Sequence, residues 1–387
     1  ESEQSSEISR ALLSIADYAR AVGQEFMPYA ESAIQDAIHG FGNAYSDDVR
    51  ISSLSLLSSI AKSNPQFIPQ VFEFILKQLV ETNEPLASVK EEMMKALKKI
   101  IKIEQCPDEI KLQYLTSLPG LLNSALVSLR KENQDNELNS DEYDSYLNLL
   151  WSIAKALKFL YGQESLAQQA GAAFIEVSKQ LAPFNEEPLL LVKQFSMAVW
   201  IDFLIYGPKQ LVAQCQPMIQ QVLGMANDED CECRQLALYG FGRIFENVEV
   251  PPDQLDSLLA KLYEVCTSEV ATENEDFYKG NDSGLSSYGI LLKKRVPFGN
   301  ASLAISKFIE MFPAEDDMEE VQLAYSILFE LLCEAGNNQE IVPFVQPICE
   351  KLAEGISIES NKNEILEIFS SKMKEGNLPD HVSQFLQ

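Results

Sequence analysis

The side chains that commonly carry catalysis are sparse in this sequence and badly spaced for it. The two histidines, His39 and His381, each stand without a motif partner, so imidazole acid–base or metal chemistry is poorly supplied. Of the seven cysteines (Cys106, Cys215, Cys231, Cys233, Cys266, Cys333, Cys349), only Cys231 and Cys233 lie close together. Two thiols fall short of the four ligands of a structural zinc site. The others are scattered as reduced, buried thiols would be. Gly240-Phe241-Gly242 has the start of a dinucleotide loop but lacks the third glycine, and no strand precedes it. Small residues at that spacing serve the close approach of two helices instead. Asn281-Asp282-Ser283 and Asn300-Ala301-Ser302 match the glycosylation pattern. Because Glu1–Arg10 lack the basic and apolar regions of a signal peptide, these are chance matches. Paired carboxylates remain, but glycosidase-type work needs them in a dry pocket, and here they cluster in polar turns. The sequence predicts no catalytic residue, no cofactor and no metal.

What the carboxylates offer instead is a field. The 387 residues carry 58 acidic and 30 basic side chains, a formal net charge of −28. A soluble small domain needs a magnitude of only about 2–8, so the surplus favours a basic partner. It argues against direct nucleic-acid binding, which rests on clustered Lys and Arg. The surplus gathers in turns. Lys131–Ser145 holds six carboxylates, of which Asp135, Glu137, Asp141, Glu142 and Asp144 are candidate contacts for basic cargo. Asp228, Glu229 and Asp230, followed by Glu232, form a second group, and Glu315-Asp316-Asp317 with Glu319 and Glu320 a third. Hydrophobic residues make up 46%, enough for a packed core. No apolar run approaches the roughly 18–20 residues that cross a bilayer, so no membrane contact is expected.

The elements that must position these groups are helices. Val49, Ile51, Leu54, Leu57, Ile60 and Ala61 recur at helical spacing, as do Val71, Phe72, Phe74, Ile75 and Leu79, and then Met93, Met94, Leu97, Ile100 and Ile101. Polar–proline punctuation ends the periods at Ser63-Asn64-Pro65, Thr82–Pro85, Gln105–Pro107, Asn185–Pro188, Gly207-Pro208 and Pro251-Pro252. Alternating strand patterns are nearly absent, and the fold class is all-α. Amphipathic pairs recur every 40 residues or so, with Arg50, Lys90 and Arg234 near helix starts and Lys193 within a helix in step. That period belongs to HEAT or armadillo solenoids, whose helix pairs bury their apolar faces by stacking. The pattern predicts a lone helix over 6–20, then pairs at 24–41 with 47–62, 66–81 with 86–103 and 108–130 with 143–161. Pairs at 164–182 with 187–206 and 209–225 with 230–247 follow. Beyond them are single helices near 253–268, 300–311, 318–335, 340–354 and 361–373. A lone first helix leaves an apolar face without a partner, so the chain reads as part of a longer array. Two stretches read as loops: 131–145, acidic, and 271–298, polar and glycine-bearing. Trp151, Trp200, Phe203, Tyr206, Tyr239 and Phe245 sit at helical spacing and read as core.

The runs YARAVGQEFMPYAESAIQDAI, DDVRISSLSLLSSIAKS and EDCECRQLALYGFGRIFENV resemble the C-terminal HEAT repeats of importin-β (karyopherin-β) nuclear transport receptors. So do ASVKEEMMKALKKIIKIE, NASLAISKFIEMFP, EEVQLAYSILFELLCEAG and PFVQPICEKLAEGI, in the family's order and over nearly the whole chain. The branch they resemble most is importin beta-three, which imports ribosomal proteins and histones and has an acidic loop where 131–145 falls. The stretch 271–298 is longer than the family's spacing implies, and Phe312–Met318 is too short for the helix expected there.

The resemblance implies a HEAT-repeat superhelical solenoid working as a monomer between cytoplasm and nucleus. It implies basic cargo, such as ribosomal proteins and histones, on an acidic concave surface. Phenylalanine-glycine repeats of nucleoporins would occupy outer grooves near Phe67, Phe72, Phe74 and Leu79. The GTPase Ran would act mainly through N-terminal repeats that this chain does not contain. Arg50 and Arg234 match the family's helix-start arginines, which pair structurally with acidic residues across the stack; Asp48 is the partner expected for Arg50. The competing reading is a HEAT scaffold subunit of a phosphatase or chromosome-associated complex.

Overall fold

The computed structural model describes residues 3–42, 46–81, 87–134, 141–181, 190–212, 214–246, 250–336 and 338–374. Among them there is no strand, as the apolar period requires. The helices are α1 (Glu3–Val22), α2 (Met27–Phe41), α3 (Asp47–Ser63), α4 (Ile68–Glu81), α5 (Ala87–Ile101), α6 (Asp108–Gln134) and α7 (Asp141–Tyr161). They continue as α8 (Ala167–Leu181), α9 (Leu190–Tyr206), α10 (Lys209–Val212), α11 (Gln216–Gly224), α12 (Cys231–Glu246) and α13 (Pro252–Cys266). The last are α14 (Glu269–Glu273), α15 (Tyr278–Arg295), α16 (Ser302–Glu310), α17 (Met318–Glu334), α18 (Val345–Ser357) and α19 (Lys362–Lys374).

The chain divides into two compact units, one of residues 1–199 with 206–208, the other of 200–205 with 209–387. Each is a stack of HEAT-type helix pairs. In the first unit α1, α3, α5 and α7 lie side by side, with α4, α6 and α8 in a second layer and α2 packed on α3. The core between layers is aliphatic, with Val49, Leu56, Leu57 and Ile60 of α3 and Met93, Leu97 and Ile100 of α5 fully buried. Burying a side chain of this size stabilises by roughly 1.5–3 kcal/mol, which a lone pair cannot collect and a stack can. In the second unit α12, α15, α17 and α19 form one layer, and α13, α16 and α18 the other.

The paired helices up to α12 fall where the spacing predicts, except that the helix expected over 209–225 is split into α10 and α11. The stretch 271–298 is where the expectation fails. It is no polar loop: α14 and a 3₁₀ turn fill its start, and Tyr278–Arg295 is an 18-residue helix. Packed against α13, it completes that repeat and supplies the helix that Phe312–Met318 was too short to hold. Its polar composition has a packing reason. Gly280, Asp282, Ser283, Gly284, Ser286, Ser287 and Gly289 are all buried, because small residues let α15 press against α12 and α17. The acidic loop also contracts. Residues 131–134 end α6 and 141–145 begin α7, while 135–140 lie outside the described residues.

Candidate binding surfaces

The acidic groups fall into different structural roles. Asp135 and Glu137 lie outside the described residues. Asp141 and Glu142 fall in the first turn of α7, a position that the helix dipole favours for acidic residues, and Asp144 in the same turn is exposed. Asp230 is the N-cap of α12: its Oδ1 accepts the Cys233 amide at 2.8 Å. Asp228 Oδ1 accepts the Asp230 amide at 3.1 Å, closing the turn that leads into the cap. Both carboxylates thus shape a helix start, which leaves Glu229 and Glu232 as the exposed members of that group. The two groups belong to different units.

Glu315 and Asp316 of the third group lie at a cavity that the loop reading of 271–298 concealed. Cys266, Thr272, Tyr278, Asp282, Glu310 and Asp316 line a pocket of about 330 Å³ among α13, α14, α15 and α16. Glu310, Glu315 and Asp316 are exposed at its mouth, and Tyr263 donates to Glu310 Oε2 at 2.9 Å. Asp282 is 5% exposed. Its Oδ2 accepts the amides of Glu315, Asp316 and Asp317 at 3.3, 2.7 and 2.9 Å, which fastens the loop before α17 to α15. Burial nevertheless pushes its carboxyl up to about 6, against the pull of those amides. Glu320 is buried as well, so it is not part of the acidic surface. It accepts from Ser286 and lies 3.7 Å from Arg243, and burial raises its carboxyl above the ordinary range.

The two helix-start arginines part company. Arg50 lies 3.9 Å from Asp47, rather than pairing with the expected Asp48, and stacks over the Phe41 ring at 5.0 Å. Arg234 is 3% exposed and, among the described residues, pairs with no carboxylate. Its guanidinium donates to the carbonyls of Ala226 and Val265 at 3.1 and 2.8 Å and to Asn281 Oδ1 at 3.4 Å, with the Phe277 ring at 4.9 Å. Carbonyl dipoles and a π face solvate this cation in place of an acid.

Of the apolar groove candidates, Phe72 and Leu79 are core, Phe72 packing edge-on to Tyr114. Phe74 is half-buried against Phe41, and Phe67 is half-buried at the start of α4. Three residues absent from the sequence-based candidates are more open. Val80, Val127 and Ile175, more than half exposed, stand one per repeat on α4, α6 and α8. Periodicity alone could have marked them, as apolar residues off the buried stripe. The aromatics read as core are divided: Trp200, Phe203 and Phe245 are buried, Trp151 and Tyr239 half-buried, and Tyr206 39% exposed. Gly240 and Gly242 do serve close approach. A β-carbon on Gly242 would lie 2.6 Å from the Ser287 Cα. No described helix is long and apolar enough to cross a membrane.

No family model matches the chain. Solved structures are similar over 98% of it. Karyopherin Kap121p bound to the SUMO protease Ulp1p matches with a TM-score of 0.66 at 15% identity, over 37% of its own length. The fold is that of a karyopherin. Kap121p bound to RanGTP gives 0.64 at 16% identity, and Kap121p bound to Pho4p 0.63 at 14%, each matched over 36% of its length. The chain therefore spans little more than a third of these karyopherins.

Proposed function

We propose that this chain is a segment of an importin-β-type nuclear transport receptor, resembling the branch that imports ribosomal proteins and histones. It binds basic cargo through carboxylates at its helix ends and around the pocket of Glu310, Glu315 and Asp316. Nucleoporin phenylalanine-glycine repeats dock on the exposed apolar positions of α4, α6 and α8, with Phe67 and Phe74 at the rim. Ran acts chiefly through repeats outside this chain, and the receptor moves between cytoplasm and nucleus as a monomer without catalysing a reaction. The observation that carries the reading is the pairing of a karyopherin fold with a net charge of −28. A HEAT fold alone does not fix function, but a large single-signed field on one selects partners of the opposite sign.

Two probes test it on the purified chain by fluorescence anisotropy. A Lys/Arg-rich peptide should bind at low salt and weaken steeply as salt rises, and Glu310→Lys with Asp316→Lys should reduce its affinity. A phenylalanine-glycine repeat peptide should bind with little salt dependence and be weakened by Val127→Ser with Ile175→Ser. Failure of both peptides to bind at low salt would overturn the receptor reading.

A further inference from the structure

Within this acidic chain the first unit holds a groove of the opposite sign. Where α1, α3 and α5 end, Arg20, Lys62, Lys99 and Lys102 line an open cavity of about 560 Å³, with Ser55 and Ser59 of α3 on its wall. Lys62, Lys99 and Lys102 are exposed, and none pairs with a carboxylate among the described residues. Arg20 is engaged by Asp17 on its own helix. Lys98 and Lys155 extend the set along α5 and onto α7. Burial lowers the Lys98 ammonium below its ordinary range, and repulsion from Lys102, Lys155, Lys95 and Lys99 adds to it. Among the described residues Glu104 is the one carboxylate on the groove wall, while Lys95, further back along α5, is neutralised by Glu91 and Glu92.

Lysines in the last turn of a helix complement its dipole, and Lys62, Lys98 and Lys99 occupy such positions. That explains one cation per helix end. It does not explain several converging on one cavity, in a chain of 58 carboxylates, with so few turned toward them.

We propose that this groove docks an extended acidic peptide, laid across the ends of α1, α3 and α5 so that its carboxylates meet Arg20, Lys62, Lys99 and Lys102. Packed helices stand about 8–10 Å apart, and an extended chain advances about 3.3 Å per residue, so cations recurring once per helix match an acid about every third residue. A nucleic acid fits less well. The net charge of −28 opposes its long uniform charge at a distance. A short acidic segment confines its charge to the cationic patch. The site is independent of the basic-cargo reading, since its ligand has the opposite sign and its residues belong to a different unit from the acidic pocket.

The test uses the full chain and a fluorescein-labelled Asp/Glu-rich peptide. Saturable binding that weakens with salt is expected, with the triple variant Lys62→Glu, Lys99→Glu, Lys102→Glu losing about tenfold or more in affinity. Circular dichroism of the triple variant should match the parent, and its thermal midpoint should fall by only a few degrees, since acids at the last turns of α3 and α5 oppose the helix dipoles. A second variant, Lys209→Glu, Lys279→Glu, Lys362→Glu, makes the same change in net charge on exposed lysines outside the groove and should retain affinity within about threefold. Equal losses in the two variants would reduce the effect to the overall field and overturn the proposal. So would no binding at low salt. Tighter binding of inositol hexakisphosphate or single-stranded RNA than of the peptide, abolished by the groove variant, would assign the groove to a phosphate ligand and overturn the peptide.

Discussion

Helices α3 and α15 occupy equivalent places in their repeats, and both bury several serines, yet they are held by different means. In α3 Val49, Leu54, Leu56, Leu57 and Ile60 carry the packing. The hydroxyls of Ser53 and Ser59 turn back onto carbonyls of their own helix, Val49 and Ser55, both at 2.8 Å. In α15 no large aliphatic residue appears before Leu285. Its Ser287 hydroxyl instead crosses to α12, donating to the Leu238 carbonyl at 2.6 Å and accepting the Gly242 amide at 2.9 Å. That hydroxyl bridges two backbone groups one turn apart on the neighbouring helix. The difference teaches that α3 is an interlock of side chains, tolerant of polar filler. The α12–α15 contact is an approach of two backbones, which tolerates almost no added atom.

The sharpest way to break this contrast is to add one methyl group on each side of it. A β-carbon at Gly242 meets the Ser287 Cα at 2.6 Å, which only a shift of main chain can relieve. At Gly40, packed on α3, the nearest atom is the Ser53 hydroxyl at 2.7 Å, which can rotate away. Gly242→Ala should cost about 2–3 kcal/mol, while Gly40→Ala should fall within about 1 kcal/mol of the parent, helped by helix propensity. Urea denaturation measures both. Equal costs would show that the two contacts are alike.

The arginines extend the comparison with an effect of similar size. Arg234→Met leaves the Ala226 and Val265 carbonyls without their donor in a buried site, and about 2–4 kcal/mol should be lost. Arg50→Met removes an ion pair and a stacked ring contact that together stabilise by about 1 kcal/mol. A cost for Arg50→Met above that for Arg234→Met would mean that carbonyl solvation of Arg234 contributes little.

The same contrast decides which helices are legible in the sequence. Helices that pack through aliphatic side chains announce themselves by a 3.6-residue apolar period, and α3, α4, α5 and α12 fall where that period puts them. The first half of helix α15 packs through glycine and serine, which carry turn and loop propensity and no hydrophobic signal, so NDSGLSS reads as a loop although Tyr288, Ile290, Leu291 and Leu292 beyond it are buried. The pocket beside it is hidden for the same reason, since a loop reading puts its wall residue Asp282 in solvent. Burial of Phe72 and Leu79, and capping by Asp228 and Asp230, depend on which way a helix face turns. Composition does not report that.

Protonation offers a gentler probe of the α15 contact. Burial raises the Asp282 carboxyl to about 6 in the folded chain, above its unfolded value. Its contribution to stability is therefore fully present below about pH 4 and lost as pH rises through about 6. Asp282→Asn keeps an acceptor for the loop amides and removes the titration. The unfolding free energy of the variant minus that of the parent should rise by roughly 2–3 kcal/mol between pH 4 and pH 7. Glu320 and the surface carboxylates titrate in both proteins and cancel in the difference. A difference that stays flat with pH would mean that the amides of Glu315, Asp316 and Asp317 fully offset the burial.

The smallest change isolates the hydroxyl. Ser287→Ala shortens nothing in the backbone and adds no atom, so the helices can keep their approach. Only the bridge between the Leu238 carbonyl and the Gly242 amide is lost. Because those two groups are the ordinary partners of one helical turn, each can fall back on the other, and the cost should be about 1 kcal/mol rather than that of two orphaned groups. Ser53→Ala removes a hydroxyl that bonds its own helix, and its cost should lie below about 0.5 kcal/mol. Hydrogen exchange at the Gly242 amide gives the more direct reading. If Ser287 braces α12, exchange there should quicken in Ser287→Ala beyond the global change in stability. If it quickens only in proportion, the hydroxyl is filler like those of Ser53 and Ser59, and the backbone approach alone holds the pair.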